Sequence, residues 1–417
     1  MPAPSQWLWQ QPGWPKLVFD QGVLGPALSR ARNAQGRILG KAQALGLANL
    51  GAALADIWVE EAAATARIEG EKLDLTAVRS SVARRLGMTA VGSGSRIVEG
   101  LMDFMEDATQ RWQEPLTLAR LCGWQAALFP TGHAGLHRIV VGAIRAGAEP
   151  MQIVSGPITR RKIQFEAPPP KRLPREVKRF LDWFEATRTA PVEGLVRAGI
   201  AHLWFEVLHP FEDGNGRVGR ALVDLALAQD AQLEQRLYSV SRRLAESRND
   251  YYAELGVASR GGLDITRWLL WFIGQFEGAC RASEAVIDLS LAKARFWLEH
   301  AEAPMNDRQR KVVNRMLEAG PGGFAGGMST SKYEHLAGVS RATTYRDLEE
   351  LVRHRLFAQA GAGRGTRYYV AMDGWGADAP GRNLDDHVNR KEKEMRHDRR
   401  RNADQQGADH DPEGNPG

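Results

Sequence analysis

Twelve residues, His209 to Arg220, read HPFEDGNGRVGR and concentrate more chemistry than any other stretch of the chain. A histidine titrates near neutral pH, so His209 can accept a proton from a reacting group. Asp213 can hold a divalent cation between phosphates. Gly214 and Gly216 let the backbone approach an anion closely, and Arg217 and Arg220 add charged donors spaced to share one helix face. General base, metal ligand and phosphate cradle are the parts of a nucleotide-transfer site. Gly214, Gly216 and Gly219 also spell G-x-G-x-x-G, but a dinucleotide fingerprint needs a preceding strand, and no Gly-Lys-Ser/Thr follows to make a P-loop.

The elements that must position these residues follow from periodicity. Ile200, Leu203, Trp204, Val207 and Leu208 fall at helical spacing before His209, and Val218, Ala221, Leu222, Leu225 and Ala226 restore it afterwards. The motif is therefore a helix, a loop and a second helix, whose N-terminus offers unpaired N–H groups and the positive end of the dipole. Upstream, a Trp- and Pro-punctuated lead (Trp7, Trp9, Trp14) runs into Ala/Leu-rich sequence from Leu24 to Gly87 that favours helix. From Ser95 to Leu291 the pattern stays helical with one exception, a hairpin from Val154 to Pro170. There Ile163 and Phe165 alternate with Lys162 and Gln164 and give the hairpin an apolar face.

A further unit follows. A helix from Asp307 puts Val312, Val313, Met316 and Leu317 on one face, Gly338 makes a turn, and Ser340 caps a second helix with Leu348, Leu351, Val352 and Leu356 inward. GAGRGTRYYV, with Arg364 and Arg367, makes a basic two-stranded wing. The unit reads as a winged helix-turn-helix with Arg341, Thr343, Thr344 and Arg346 facing outward, suited to DNA, and equally as a dimerisation or target-docking module. Asp373 to Gly417 holds too few apolar residues to fold and reads as a disordered tail.

Composition bounds these readings. In 417 residues, 43% are hydrophobic and 25% charged, as in an ordinary globular protein of two to three domains. The net charge of +5 permits an anionic partner without requiring one. Two cysteines, Cys122 and Cys280, exclude a disulfide framework and a cysteine zinc site. With no signal-like N-terminus and no apolar run of about 18 residues, the expected location is cytoplasmic, with no membrane contact.

His209-Pro-Phe-Glu-Asp213-Gly-Asn215-Gly-Arg217-Val-Gly-Arg220 resembles the complete signature H-P-F-x-D-G-N-G-R-x-x-R of the Fic (filamentation induced by cAMP) family. The resemblance implies a mainly α fold, helical with a short β-hairpin flap, joined here to the C-terminal winged helix. It also implies transfer of AMP from ATP, with Mg²⁺, to a Ser, Thr or Tyr hydroxyl of a target protein. His209 would deprotonate that hydroxyl and Asp213 would bind Mg²⁺. Asn215 and the amides around Gly214 and Gly216 would cradle the α-phosphate, and Arg217 and Arg220 would hold the β- and γ-phosphates, while Phe211 pins the loop. Ile163 and Phe165 would lie on the target-aligning flap, and Asn249, Tyr251 and Tyr252 where the adenine pocket lies. Thr65-Ala-Arg-Ile-Glu69-Gly70 is similar to the family's (S/T)-x-x-x-E-(G/N) inhibitory motif, so Glu69 would form a bidentate pair with Arg220 and deny it to the γ-phosphate. The expected organisation is a helical regulatory lead (1–94), a Fic core (95–290), the winged helix (291–372) and the tail (373–417). Removal of AMP, transfer of phosphate or UMP, a homodimer, and a DNA-binding regulator whose Fic domain senses nucleotide all stay open.

Overall fold

Ala, Leu, Arg and Glu recur with few β-branched residues, and the chain is accordingly mostly helical. The computed structural model describes residues 7–45, 50–90, 92, 94–155, 162–189, 192–322, 324 and 326–376. They divide into two units between Ser290 and Leu291. The first contains α1 (Gln21–Leu45), α2 (Gly51–Ile68), α3 (Leu75–Arg85), α4 (Arg96–Gln110), α5 (Leu118–Leu128), β1 (His133–Ala134), β2 (His137–Arg138), β3 (Gln152–Ser155), β4 (Lys162–Glu166), α6 (Leu173–Ala186), α7 (Gly194–Leu208), α8 (Asn215–Ala231), α9 (Val240–Glu246) and α10 (Arg248–Arg260). The boundary falls inside α11 (Thr266–Glu299). Among the described residues, no helix is long and apolar enough to cross a membrane.

The core of the first unit is α7, in which every residue from Leu195 to Leu208 is buried, Arg197, His202 and Glu206 included. Such all-round burial requires neighbours on every side. α11 comes close where Gly199 leaves room: a Cβ there would meet Leu269 and Phe272, and Trp268 donates its indole N–H to the Gly199 carbonyl at 2.9 Å. α8 packs along α7, and α4 turns Val98, Leu101, Met102, Met105 and Ala108 inward at i, i+3, i+4 spacing. α2 is tied in by charge. Glu61, 2% exposed, accepts from the Ser239 hydroxyl at 2.7 Å, the Ser241 N–H at 3.1 Å and the Ser241 hydroxyl. Arg236 lies 3.7 Å from Glu61 and 2.8 Å from Asp224 of α8, close in distance but off the hydrogen-bond direction.

Two expectations for this unit need correction. The hairpin between α5 and α6 is not the single break in the helical run, because β1 and β2 pair antiparallel, His133 with Arg138 and Ala134 with His137. Their Gly-rich sequence favours turns over helix. In the expected hairpin, β3 and β4 pair Val154 with Ile163 and Ile153 with Phe165 around a bulge, while residues 156–161 lie outside the described residues. Phe165 does not join an open apolar face. It is 7% exposed beneath Trp7, edge-on with ring centroids 5.5 Å apart, and Trp9 donates to the Glu166 carbonyl at 2.7 Å. Ile153, Val154 and Ile163, each more than 40% exposed, form the apolar surface instead.

The second unit contains α12 (Asp307–Ala319), α13 (Thr330–Ala337), α14 (Arg341–Arg353), β5 (Phe357–Ala360) and β6 (Arg367–Val370). Val312, Val313, Met316 and Leu317 are buried, β5 pairs antiparallel with β6, and Met328 bridges to Tyr368. Gly338 ends α13 with φ +66°, and the Ser340 side chain accepts from the Thr343 N–H to start α14. Arg341 and Arg346 are exposed and Thr343 half-buried, but Thr344 points inward at 0% exposure, sharing the face of Asp347, Leu348 and Leu351 at helical spacing. The expected tail starts too early, since Trp375 is 6% exposed; its remainder, from 377, lies outside the described residues.

Breaking a buried ionic network by deleting one partner costs about 3–5 kcal/mol. Glu61→Ala is therefore expected to lower the unfolding free energy of the first unit by that order in urea titration; a loss below ~1 kcal/mol would show that the network does not hold α2.

Candidate functional site

The site forms where two helix ends meet. α7 ends at Leu208, and His209 takes a left-handed conformation, φ +46° and ψ +60°, to leave it. This is uncommon outside glycine. The loop then turns back into α8 at Gly214, whose φ of +86° a side chain rarely adopts. Phe211 is fully buried inside the turn, 6.2 Å from the Phe205 ring. Asn215, 2% exposed, closes the loop: its side chain accepts from the Phe211 N–H at 2.9 Å and donates to the Phe211 carbonyl at 2.8 Å. The side chain thus holds the loop shape with its oxygen and one of its two amide hydrogens.

His209 keeps an edge open to solvent. Burial and the Arg145 guanidinium push its pKa down to about 4, while one ring nitrogen faces the Glu206 carbonyl. It is therefore neutral at pH 7, and a neutral imidazole carries one nitrogen able to accept a proton. Glu206 itself, one turn earlier, is pushed up to about 8 by burial, with one oxygen unpaired where Gly219 lets α8 approach.

Arg217 and Arg220, 4% and 3% exposed, stand on the first two turns of α8. Both are met by the end of α2. Gly70, φ +82°, terminates α2 by the Schellman pattern: its N–H reaches the Arg67 carbonyl at 3.0 Å, and the Glu71 N–H reaches the Ala66 carbonyl at 3.0 Å. The turn presents Glu69 and Glu71 side by side. Glu69 Oε1 accepts from Arg220 Nη2 at 2.7 Å, and the same guanidinium donates to Thr65, Nε to Oγ1 at 2.7 Å and Nη2 to the carbonyl at 3.1 Å. The expected bidentate Glu69–Arg220 pair is therefore a single contact completed by Thr65. The two-oxygen contact belongs to Glu71, whose Oε1 and Oε2 both lie 3.0 Å from Arg217 Nη1. Burial opposes charge on Glu69, yet Arg220 and then Arg217 hold its carboxyl below the usual range.

Two buried donors remain without partners, Arg220 Nη1 and Arg217 Nε. With the N–H groups of the first turn of α8 they are suited to an anion. Asp213 is half-exposed, 3.6 Å from Arg217 Nη2. Among the described residues, no group of three or more His, Cys, Asp or Glu could hold a metal. A lone accessible carboxylate suits Mg²⁺, which keeps waters and binds largely through substrate phosphates.

The aromatic pair divides. Tyr251 is 1% exposed, its hydroxyl 2.9 Å from His202 Nε2, so it belongs to the core and cannot line an open pocket. Tyr252 is 42% exposed and donates to the Ile68 carbonyl at 3.4 Å, joined there by Arg248 at 2.8 Å. Sequence reasoning missed Glu71, Arg248 and Gln125, which donates to the Asp213 carbonyl at 3.4 Å. For Glu71 a signal existed, the repeated acid around a helix-ending glycine in Glu69-Gly70-Glu71.

Residues 115–227 match the Fic/DOC family, and residues 7–88 match a domain of unknown function, DUF4172. The chain is 30% identical over 131 residues, 31% of its length, to the protein adenylyltransferase fic-1 of Caenorhabditis elegans, covering 23% of that protein. Over 106 residues, 25% of its length, it is 34% identical to a probable protein adenylyltransferase of Aquifex aeolicus, covering 30% of that protein. It thus spans under a third of either relative. A solved Fic family protein from Desulfovibrio desulfuricans G20 aligns over 83% of this chain and 96% of its own at 22% identity and TM-score 0.48.

Asn215→Ala leaves the buried Phe211 N–H and carbonyl without their side-chain partner. It is expected to destabilise the fold by about 1–3 kcal/mol, measured by chemical denaturation; an unchanged midpoint would mean that the loop is held without it.

Proposed function

Starting from the Fic/DOC domain that this chain carries at residues 115–227, we propose that it is a protein adenylyltransferase, moving AMP from ATP to a Ser, Thr or Tyr hydroxyl and held inactive by the end of its own α2. The observation that carries the reading is the pair of buried arginines at the N-terminus of α8, one loop away from a neutral histidine. The naming of its relatives as adenylyltransferases supports the same reading.

In the reaction, His209 takes the proton of the target hydroxyl, whose oxygen forms the new bond to the α-phosphorus. The bond from that phosphorus to the bridging oxygen breaks, and pyrophosphate leaves. Arg217 and Arg220 hold the departing phosphates, and the first turn of α8 stabilises charge growing on the α-phosphate. Asp213 is the residue that would hold Mg²⁺, which supplies charge neutralisation between phosphates when bound. The β3–β4 hairpin offers an edge and the exposed Ile153, Val154 and Ile163 for aligning a target segment.

In this reading inhibition has two arms. Glu69 and Thr65 occupy Arg220, and Glu71 occupies Arg217, so both phosphate-binding arginines are engaged before ATP arrives. Glu71 is the more exposed and solvent-screened of the two acids, so its arm is the weaker.

The second unit we read as a winged helix-turn-helix, supported by three helices followed by a hairpin and by the exposed Arg341 and Arg346 on α14. Binding to duplex DNA with a sequence preference that Arg346→Ala abolishes is expected. Affinity that falls with salt but ignores sequence would reject specific recognition.

Intact-mass spectrometry after incubation with ATP and Mg²⁺ tests the transferase. Glu69→Gly should gain AMP at least about tenfold faster than wild type, Glu71→Gln by a smaller factor of about 2–5, and His209→Ala in either background should gain none. Equal labelling of wild type and Glu69→Gly would remove autoinhibition from the account, and labelling without His209 would remove its role as base.

A further inference from the structure

Residues 131–151 cross the surface beside the loop, and within them one residue alone is fully buried: Arg145, at 5% exposure. Anchoring a coil with a buried guanidinium is costly unless the charge is compensated. Among the described residues no carboxylate pairs with it, and one nitrogen, Nη1, has no hydrogen-bond partner. Burial lowers its own pKa to about 10, leaving it charged at neutral pH.

Its partners are backbone groups of the site. Arg145 Nε donates to the His209 carbonyl at 2.8 Å, its main-chain N–H donates to the Pro210 carbonyl at 2.8 Å, and Nη2 donates to the Pro168 carbonyl at 2.6 Å. Pro168 lies just past β4, where the Ala167 N–H also reaches the Met151 carbonyl at 2.9 Å. One side chain thus joins the first residue of the loop to the base of the β3–β4 hairpin. The guanidinium also stands at the C-terminal end of α7, where helix carbonyls are unpaired and the dipole favours a cation.

We infer that Arg145 is a positioning residue for the transfer reaction, a clamp that holds His209 in its left-handed conformation and in register with the hairpin. It touches neither nucleotide nor acceptor and acts through His209. Left-handed backbone costs a residue other than glycine on the order of 1–3 kcal/mol and persists where its surroundings fix it. Arg145 bonds the carbonyl of the His209–Pro210 peptide and that of the next peptide, which fixes how the chain leaves His209. The Pro168 contact then sets the distance between base and target-aligning edge.

The inference rests on the adenylyltransferase reading, and the experiment separates the two. In the Glu69→Gly background, Arg145→Met is expected to lower the self-labelling rate at saturating ATP by about 10- to 100-fold, the cost of a misplaced reacting group. The KM for ATP should stay within about twofold, since the phosphate-binding arginines are untouched. Hydrogen exchange should quicken in peptides covering 205–214 and 165–170 while α1 keeps its protection. Arg145→Lys, which keeps the charge but cannot span the carbonyls, should recover only part of the rate, and it serves alone if the methionine variant does not fold. An unchanged rate, a raised KM with the rate intact, full rescue by lysine, or protection lost uniformly would overturn the inference. If Glu69→Gly itself never labels, the adenylyltransferase reading fails, and the exchange pattern alone decides whether Arg145 clamps the loop.

Discussion

Two guanidinium groups stand buried at the positive end of a buried helix, and most of the first unit follows from that constraint. Arg217 and Arg220 project from the first turns of α8, where the dipole already disfavours a cation. Such an arrangement is stable only with negative charge brought to it. In this chain the charge comes from Glu69 and Glu71, presented by a helix ending whose hydrogen bonds are satisfied through Gly70. The same demand makes the site receptive to phosphate, because whatever displaces the carboxylates must supply equivalent charge.

The opposite helix end has the complementary need. α7 finishes at Leu208 with its negative dipole end beside His209, and the Arg145 guanidinium stands there, bonded to the His209 carbonyl that follows the helix. The loop His209–Gly214 lies between a helix end compensated by acids and one compensated by a base. Its shape is then fixed from within by Phe211 and Asn215. A neutral histidine is thereby kept next to a strongly anion-seeking surface, two conditions that would conflict if both helix ends faced the same way.

Legibility in the sequence tracked locality. The placement of His209, Asp213, the glycines and the arginines could be read because it is set within one loop and the helix that follows. The α7–loop–α8 order and the hairpin after Met151 were legible for the same reason. Phe165 and Thr344 were misplaced because alternation and helical spacing say which residues share a face, not what covers it: Trp7, distant in sequence, covers Phe165, and the face of Leu348 takes in Thr344. Tyr251 was drawn inward by His202 of α7. Arg145, Glu61 and Arg248 act through contacts spanning tens to hundreds of residues, and nothing near them in sequence marks them.

The Glu61 network gives α2 an unequal grip along its length. Glu61 and Glu69 are eight residues apart, about 12 Å at the rise of an α-helix. Past its middle the helix is tied through buried Glu61 to Ser239 and Ser241 at the start of α9, whereas its C-terminal end is held by a partly exposed turn. Pulling the helix away as a body would strand the Ser239 and Ser241 donors and leave Arg236 to Asp224 alone, whereas unwinding its final turn uncovers Ile68 and breaks the Glu69–Arg220 and Glu71–Arg217 contacts, which phosphates can replace. The low-energy excursion is therefore fraying about a fixed pivot, a motion of a few residues on the nanosecond-to-microsecond scale of loops and termini. A ligand competing for that turn meets a hinge, not a lid.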